Sequence, residues 1–172
     1  MDYTPFIRDI VDWPKEGVVF KDVTPLIADP VAFRQSILDM SSPFRDAGVT
    51  KIMGAEARGF LFGTAIAFEL GAGFVPARKP GKLPSETISA TYQLEYGTDS
   101  LEIHCDAINE NDVVLIVDDV LATGGTASAK AGLVESQGAK LVGYSFLMEL
   151  DFLHGREKLD QNLPIISLMH VK

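Results

Sequence analysis

The stretch VVLIVDDVLATGGTA, Val113 to Ala127, decides the fold. Five apolar residues, Val113 to Val117, open it. A run that short, rich in β-branched residues and bounded by polar ones, predicts a strand buried on both faces. Two acids follow, Asp118 and Asp119, then a small-residue loop, Ala122-Thr123-Gly124-Gly125-Thr126, then a helical stretch from about Ala127 to Gln137. Such a loop offers backbone N–H groups that neither strand nor helix uses, and the helix N-terminus adds partial positive charge, so an anion such as a phosphate can be bound there. Gly124 and Gly125 allow close backbone approach, and Thr123 and Thr126 add hydroxyl donors. Like charges repel, so Asp118 and Asp119 do not serve the phosphate. As strong acceptors they suit the hydroxyls of a sugar attached to it.

Two other phosphate-binding patterns are excluded. No G-x-x-x-x-G-K-[ST] occurs, and the only start of a G-x-G-x-x-G, at Gly71 and Gly73, meets Pro76 where its last glycine belongs. The 172 residues suggest one domain with a real core, and 47% hydrophobic residues exclude a disordered chain. Fifteen basic against 24 acidic residues leave a net charge of −9, which argues against nucleic acid or an anionic membrane surface as partner. An anionic substrate must then be held by local cations and backbone dipoles, against the overall field. Cys105 is the only cysteine, which fits a reducing compartment such as the cytoplasm. Neither an N-terminal apolar leader nor a run of 18 apolar residues is present, so no signal peptide or membrane span is expected. His104, His154 and Cys105 lack metal-ligand spacing, and no residue is assigned to a metal.

Outward from the central stretch, the pattern alternates strands and helices. Tyr3 to Val11 predicts a short amphipathic helix, and Pro14 to Leu26 an irregular, partly buried connection. Asp29-Pro30 is a helix start with Asp as N-cap and Pro at the first helical position. Lys51 to Gly54 predicts a strand. The small-residue turn after it carries Arg58 and leads into a helix to about Leu70, a second anion site by the same physics. Gly73 to Ala77 predicts a strand, and Arg78-Lys79-Pro80-Gly81-Lys82-Leu83-Pro84 a mobile basic loop. Thr87 to Glu95 and Leu101 to Ile108 read as a β-hairpin, Gly138 as a helix cap, and Leu141 to Leu150 and Pro164 to Val171 as two more strands. Strands alternating with helices imply an α/β fold with a mainly parallel sheet and ligands at the carboxyl ends of its strands.

VVLIVDDVLATGGT resembles the signature of the type I phosphoribosyltransferases, which bind 5-phosphoribosyl 1-diphosphate. Four further segments are similar to the adenine-specific members of that family: Pro14 to Pro25 (P-K-E-G-V-V-F-K-D-V-T-P), Arg78 to Pro84, Ala90 to Gly97 (A-T-Y-Q-L-E-Y-G), and Gly155 to Leu159 (G-R-E-K-L). The resemblance implies one phosphoribosyltransferase domain over 1–172, with about 1–30 as a hood over the base, 30–172 as the core and 78–104 as a lid. It implies the transfer of phosphoribosyl to adenine, giving AMP and diphosphate. Another base, or a non-catalytic sensor of phosphoribosyl diphosphate, is the alternative. The main chain at Val19 and Lys21 is expected to read the adenine edge while Phe20 packs on its ring. Lys21 stands where many members have arginine, a change of little consequence if only its backbone is used. Asp118 and Asp119 are assigned to the ribose hydroxyls and Ala122, Thr123, Gly124, Gly125 and Thr126 to the 5′-phosphate. Arg58, Arg78 and Lys79 are assigned to the diphosphate with Mg²⁺, which is held mainly through substrate oxygens and water. Tyr96 joins that site, Glu95 is the expected proton carrier, and a homodimer is the family expectation.

Overall fold

The computed structural model describes residues 1–93 and 98–172, with Gln93 described by its backbone alone. The elements run β1 (Arg8–Val11), β2 (Val19–Asp22), α1 (Thr24–Ala28), α2 (Pro30–Ser41), β3 (Lys51–Ala55), α3 (Arg58–Leu70) and β4 (Gly73–Ala77). They continue with β5 (Thr87–Gln93), β6 (Thr98–His104), β7 (Val113–Leu121), α4 (Gly125–Ser136), β8 (Lys140–Leu150) and β9 (Ile165–Val171). A five-stranded sheet of order β4-β3-β7-β8-β9, every pairing parallel, forms the centre. This is the α/β architecture expected from the alternating pattern.

β7 is the middle strand, and Val114, Leu115, Ile116 and Val117 are completely buried. Their period-2 alternation sorts them onto two layers. Leu115 and Val117 join the cluster that holds Phe62 and Ile66 of α3 and Ala32, Ile37 and Met40 of α2. Val114 packs with Leu133 and Val134 of α4 and with Leu101 and Ile103 of β6, while Ile116 packs with Ala127 of α4 and with Tyr144 and Phe146 of β8. The β5–β6 hairpin is antiparallel, Thr87 facing His104 through Gln93 facing Thr98.

Three expectations are corrected. Tyr3 to Val11 is not a helix: a 3-10 turn, Thr4–Phe6, leads into β1, which pairs antiparallel with β2. The segment from Pro14 to Leu26 is thus partly regular, because β1 supplies a partner for Val19–Asp22 that local pattern cannot reveal. The central strand does not stop at Val117. It runs through both acids to Leu121, since β8 keeps pairing with it, Asp118 opposite Phe146 and Leu121 opposite Glu149.

β8 leads to a short connection that returns to the central loop. Within it, the 3-10 turn Gly155–Lys158 is anchored by Arg156, whose Nε and Nη2 donate to Glu149 Oε1 and Oε2 at 3.0 and 2.5 Å, and whose Nη1 donates to the Ile165 carbonyl at 3.0 Å. Burial would raise the Glu149 pKa, but the bonds from Arg156 and from Ser167 outweigh it and hold that carboxyl below its ordinary value. The turn sets Gly155 directly against the loop after β7. A Cβ on Gly155 would stand 2.0 Å from the Ala122 carbonyl oxygen and 2.8 Å from the Gly124 nitrogen.

This contact is open to test by denaturant unfolding. Gly155→Ala forces backbone apart and is expected to cost about 1–3 kcal/mol. A Cβ on Gly132, in the interior of α4, would meet nothing within 4 Å. Gly132→Ala is therefore expected to stabilise by about 0.5–1 kcal/mol, so the two glycine replacements should shift the midpoint in opposite directions.

Candidate active site

The carboxyl ends of β3 and β7 each turn directly into a helix. α3 begins at Arg58 and α4 at Gly125, and neither first turn receives a side-chain cap. The contrast is α2, where the Asp29 carboxylate accepts from the Val31 and Ala32 amides. Uncapped N-terminal amides are donors in search of an acceptor, at the positive end of the helix dipole. Both lie at the carboxyl edge of the sheet, α3 on one face and α4 on the other. Gly124, the residue before α4, has φ of +79°, and a Cβ there would meet the Gly155 carbonyl oxygen at 2.2 Å. Only glycine fits this position, in backbone conformation and in space.

A cavity of about 360 Å³ opens at these strand ends. The β1–β2 ribbon contributes Val18, Val19, Phe20 and Lys21 to it, the turn after β3 contributes Glu56, Ala57 and Arg58, and β7 with its loop contributes Asp118, Asp119, Ala122 and Thr126. Thr123, Gly124 and Gly125 line a smaller recess of about 60 Å³ that shares Asp118, Ala122 and Thr126 with the main cavity. The Glu56–Ala57 peptide is cis.

The two acids part company because successive strand residues point to opposite faces. Asp119 continues the odd-numbered face toward α3, and Arg58 Nε lies 2.8 Å from its Oδ2. The approach is an ion contact without hydrogen-bond alignment: among the described residues Asp119 Oδ2 has no donor and Arg58 Nη1 no acceptor, although both atoms are buried. Burial and the neighbouring Asp118 charge push the Asp119 pKa up to about 7, with Arg58 opposing them. Asp118 faces α4, where the Lys130 ammonium, fully buried, donates to its Oδ2 at 2.7 Å and to the Val117 carbonyl at 3.1 Å. Its Oδ1 accepts from the Asp119 amide and presses on Gly59, where a Cβ would come within 2.5 Å.

Phe20 is held edge-on by Trp13 at 4.4 Å between centroids, and the Arg58 guanidinium lies 4.8 Å over its ring. The Lys21 ammonium is tied back to Asp9 at 2.7 Å, away from the role of a free cation. Arg78 and Lys79 are not among the lining residues. Glu56 collects the loop that carries them: Arg78 Nη2 at 3.3 Å, Lys82 Nζ at 2.9 Å and the Lys79 amide at 2.6 Å. Arg78 also exchanges backbone hydrogen bonds with Glu102 of β6, and Lys79 pairs with Asp99. The expected loose basic loop therefore has partners throughout its first half. The Tyr92 hydroxyl of β5 donates to Asp99 at 3.3 Å, and Tyr92 lines a groove with Gly125 and Ser128, which sets the hairpin beside the start of α4. Glu95 and Tyr96 lie outside the described residues.

Sequence reasoning missed Lys130, Glu56, Asp99 and Tyr92. Lys130 had a signal: it falls between Ala127 and Val134 at helical spacing, a charge inside an apolar stripe. Glu56 and Asp99 had none, since their partners are brought by tertiary contacts. Glu149, Asp151 and His170 lie close enough to share a cation, but Glu149 is already bidentate with Arg156 and none of the three lines the cavity.

Residues 37–164 match the phosphoribosyl transferase domain family. Adenine phosphoribosyltransferase from Geobacter metallireducens is 58% identical over 163 residues, which cover 95% of this chain and 95% of that protein. The crystal structure of adenine phosphoribosyltransferase from Rhodothermus marinus superposes with a TM-score of 0.94 at 47% identity, covering 98% of this chain and 96% of its own. The Saccharomyces cerevisiae enzyme, solved with an imino-altritol bisphosphate and adenine, gives a TM-score of 0.89 at 44% identity, covering 96% and 95%. With likeness of this extent in sequence and in fold, the chain belongs to the adenine phosphoribosyltransferases of the phosphoribosyl transferase domain family.

Proposed function

We propose that this chain transfers the phosphoribosyl group of 5-phosphoribosyl 1-diphosphate to N9 of adenine, forming AMP and diphosphate in purine salvage. The observation that carries the reading is the pair of buried, unsatisfied atoms, Asp119 Oδ2 and Arg58 Nη1, facing one cavity between two uncapped helix N-termini. Buried polar atoms without partners are rare, and here an acceptor and a cation stand together where an anion-binding loop begins.

The roles follow from position. Ala122, Thr123, Gly124, Gly125 and Thr126 take the 5′-phosphate on the amides that open α4. Asp119 accepts from the ribose hydroxyls, with Asp118 beside it. The anomeric carbon becomes cationic as its bond to diphosphate lengthens, and the nearby carboxylate charge stabilises it. Val19 and Lys21 are two apart on β2, so their backbone groups point to the same edge, where a carbonyl and an amide complement the adenine N6 donor and N1 acceptor. Phe20, braced by Trp13, offers its ring to the base. Arg58, now shared between Phe20 and Asp119, turns to the diphosphate, and Arg78 and Lys79 join it when they exchange Glu56 and Asp99 for substrate oxygens.

Each cavity carboxylate already faces a cation of the chain, a donor set that fits Mg²⁺ carried in on substrate oxygens. When bound so, it neutralises the charge of the departing diphosphate. Glu95, on the segment joining β5 to β6, is proposed to take the N9 proton as the hairpin covers the site. We also assign the protein to the cytoplasm, with which its single cysteine agrees, and to a homodimer. The side chains of Leu61 and Phe68, exposed by 46% and 91% and one heptad apart on α3, support a second copy packing there.

A panel of purine and pyrimidine bases, assayed with phosphoribosyl diphosphate for pyrophosphate release, should give turnover with adenine alone; release with hypoxanthine, guanine or uracil instead would overturn the assignment. In the same assay Asp119→Asn should lose about 100-fold in turnover. Its folded pKa lies above the unfolded value, so its ionisation drains stability as pH rises from about 4 to about 7. The asparagine variant should accordingly melt higher than the parent at about pH 8 and no higher at about pH 4. A lower melting temperature at both pH values would remove the claim that this acid is held at the expense of stability. Glu95→Gln should keep phosphoribosyl diphosphate binding by calorimetry and lose at least about tenfold in turnover, or about 1.4 kcal/mol.

A further inference from the structure

Lys130 is a buried charge that the proposed reaction does not use. It sits in the second turn of α4, with Ala127, Leu133 and Val134 around it, all buried. A lysine wholly removed from water is unfavourable unless it is paired and hydrogen-bonded. Its partners are specific: the Val117 carbonyl at 3.1 Å and Asp118 Oδ2 at 2.7 Å. Both belong to the end of β7, the strand that carries the cavity's acids. The ammonium therefore lies behind the cavity and reaches it only through Asp118.

Two adjacent carboxylates at 9% and 5% exposure cannot both be charged without nearby positive charge. Lys130 of α4 is the cation in contact with Asp118, and the charged residues that share the cavity lining with Asp118 are Asp119 of its own strand, Arg58 of α3, Glu56 of the turn after β3 and Lys21 of β2. The β8 residues paired beside it, Phe146 and Met148, carry no charge. Lys21 is held by Asp9 and Glu56 by Lys82 and Arg78, so two cations remain to balance the acids. Arg58 is 37% exposed by side chain, stands at the start of α3 and is proposed to turn to diphosphate. Lys130 is fully enclosed and has no second place to go.

We propose that Lys130 is a positioning residue that acts through Asp118: its hydrogen bonds to that carboxylate and to the Val117 carbonyl fix Asp118 against the end of β7, so that the cavity retains a placed acceptor when Arg58 leaves for the ligand. This rests on the ribose-binding reading of the acid pair. One oxygen of Asp118 is held by Lys130 and the other by the Asp119 amide. A carboxylate has about four lone-pair sites, so lone pairs remain for a sugar hydroxyl on the cavity side, which Asp118 lines. Without the ammonium, Asp118 would be a desolvated acid next to another. It would then be free to turn away from the strand end, and the cavity would lose one placed acceptor.

Lys130→Met keeps the length of the side chain and removes the charge. The KM for phosphoribosyl diphosphate, at saturating adenine, is measured for variant and parent. A ratio of about tenfold is expected, the loss of one charge-assisted hydrogen bond. The KM for adenine should not change. Lys130→Met is also compared in an Asp118→Asn background, where no buried carboxylate is left unpaired. There the lysine change should add nothing to the KM of Asp118→Asn alone, and this comparison decides the matter if the single variant does not fold. A ratio near one, an equal loss in the KM for adenine, or a further loss in the asparagine background overturns the inference. A parent that releases no pyrophosphate from adenine and phosphoribosyl diphosphate overturns the proposed reaction and this inference with it. An active parent with a ratio near one overturns the role of Lys130 alone.

Discussion

Two neighbouring carboxylates at the end of a fully buried strand are the constraint on which the rest of this structure depends. Successive residues of β7 point to opposite faces, so Asp118 and Asp119 must be balanced by different layers. Lys130 of α4 meets the first and Arg58 of α3 meets the second. The helices that cover the sheet are thereby also the source of the counter-charges. The two pairs are not equivalent. Lys130 is enclosed and aligned, with hydrogen bonds to Asp118 and the strand backbone. Arg58 is partly exposed and misaligned, and it leaves polar atoms of both partners unsatisfied. One pair reads as permanent and the other as exchangeable, the division expected where a ligand competes for one cation only.

The loop between β7 and α4 is held from outside as well as by its own glycines. Gly124 needs its positive φ, but it also needs room, because the Gly155 backbone lies against it. Gly155 in turn is fixed by Arg156, which is clamped on Glu149 and on the β9 backbone. Glu149 sits beside Leu121 in the sheet, one residue before Ala122. A chain of contacts therefore runs from the end of β8, through the C-terminal turn, to the start of the anion loop. This makes sense of a polar node so far from the ends of α3: it sets the distance between two backbones where neither can carry a side chain.

Much of the sheet was legible because its signal is local. An unbroken apolar run at Val113–Val117, an Asp-Pro helix start at Asp29 and Gly138 at a helix end each report on a few neighbouring residues. What failed was what depends on partners distant in sequence. β1 formed where periodicity suggested a helix, since β2 supplied its hydrogen bonds across the intervening turn. The central strand outran its apolar residues, since β8 went on pairing and two cations neutralised its acids. The same limit applies to the cavity. Asp118, Asp119, Arg58 and the Ala122–Thr126 loop were marked by type and spacing, and the structure brings them together. Glu56, Asp99 and Tyr92 were invisible because each is defined by a tertiary contact. Lys130 was visible in principle, as a charge in the buried register of its helix.

The net charge of −9 looks adverse for a protein that is proposed to bind a diphosphate. The cations around the cavity explain how it can do so. Among the described residues, Arg58, Arg78, Lys79 and Lys82 each face a carboxylate, of Asp119, Glu56 or Asp99. They are held near the strand ends by acids, so their positions are set in advance, and an incoming phosphate need only replace one anion by another. Such an exchange gains less Coulomb energy than binding to bare cations would, but it orders fewer side chains on binding. The remaining attraction must come from groups that no acid neutralises, and these are the uncapped amides that open α3 and α4. Backbone dipoles cannot be titrated and cannot swing away to another partner. In an acidic chain they would be the part of the proposed anion site that the overall field leaves in place, and both helices begin without a side-chain cap at the same edge of the sheet.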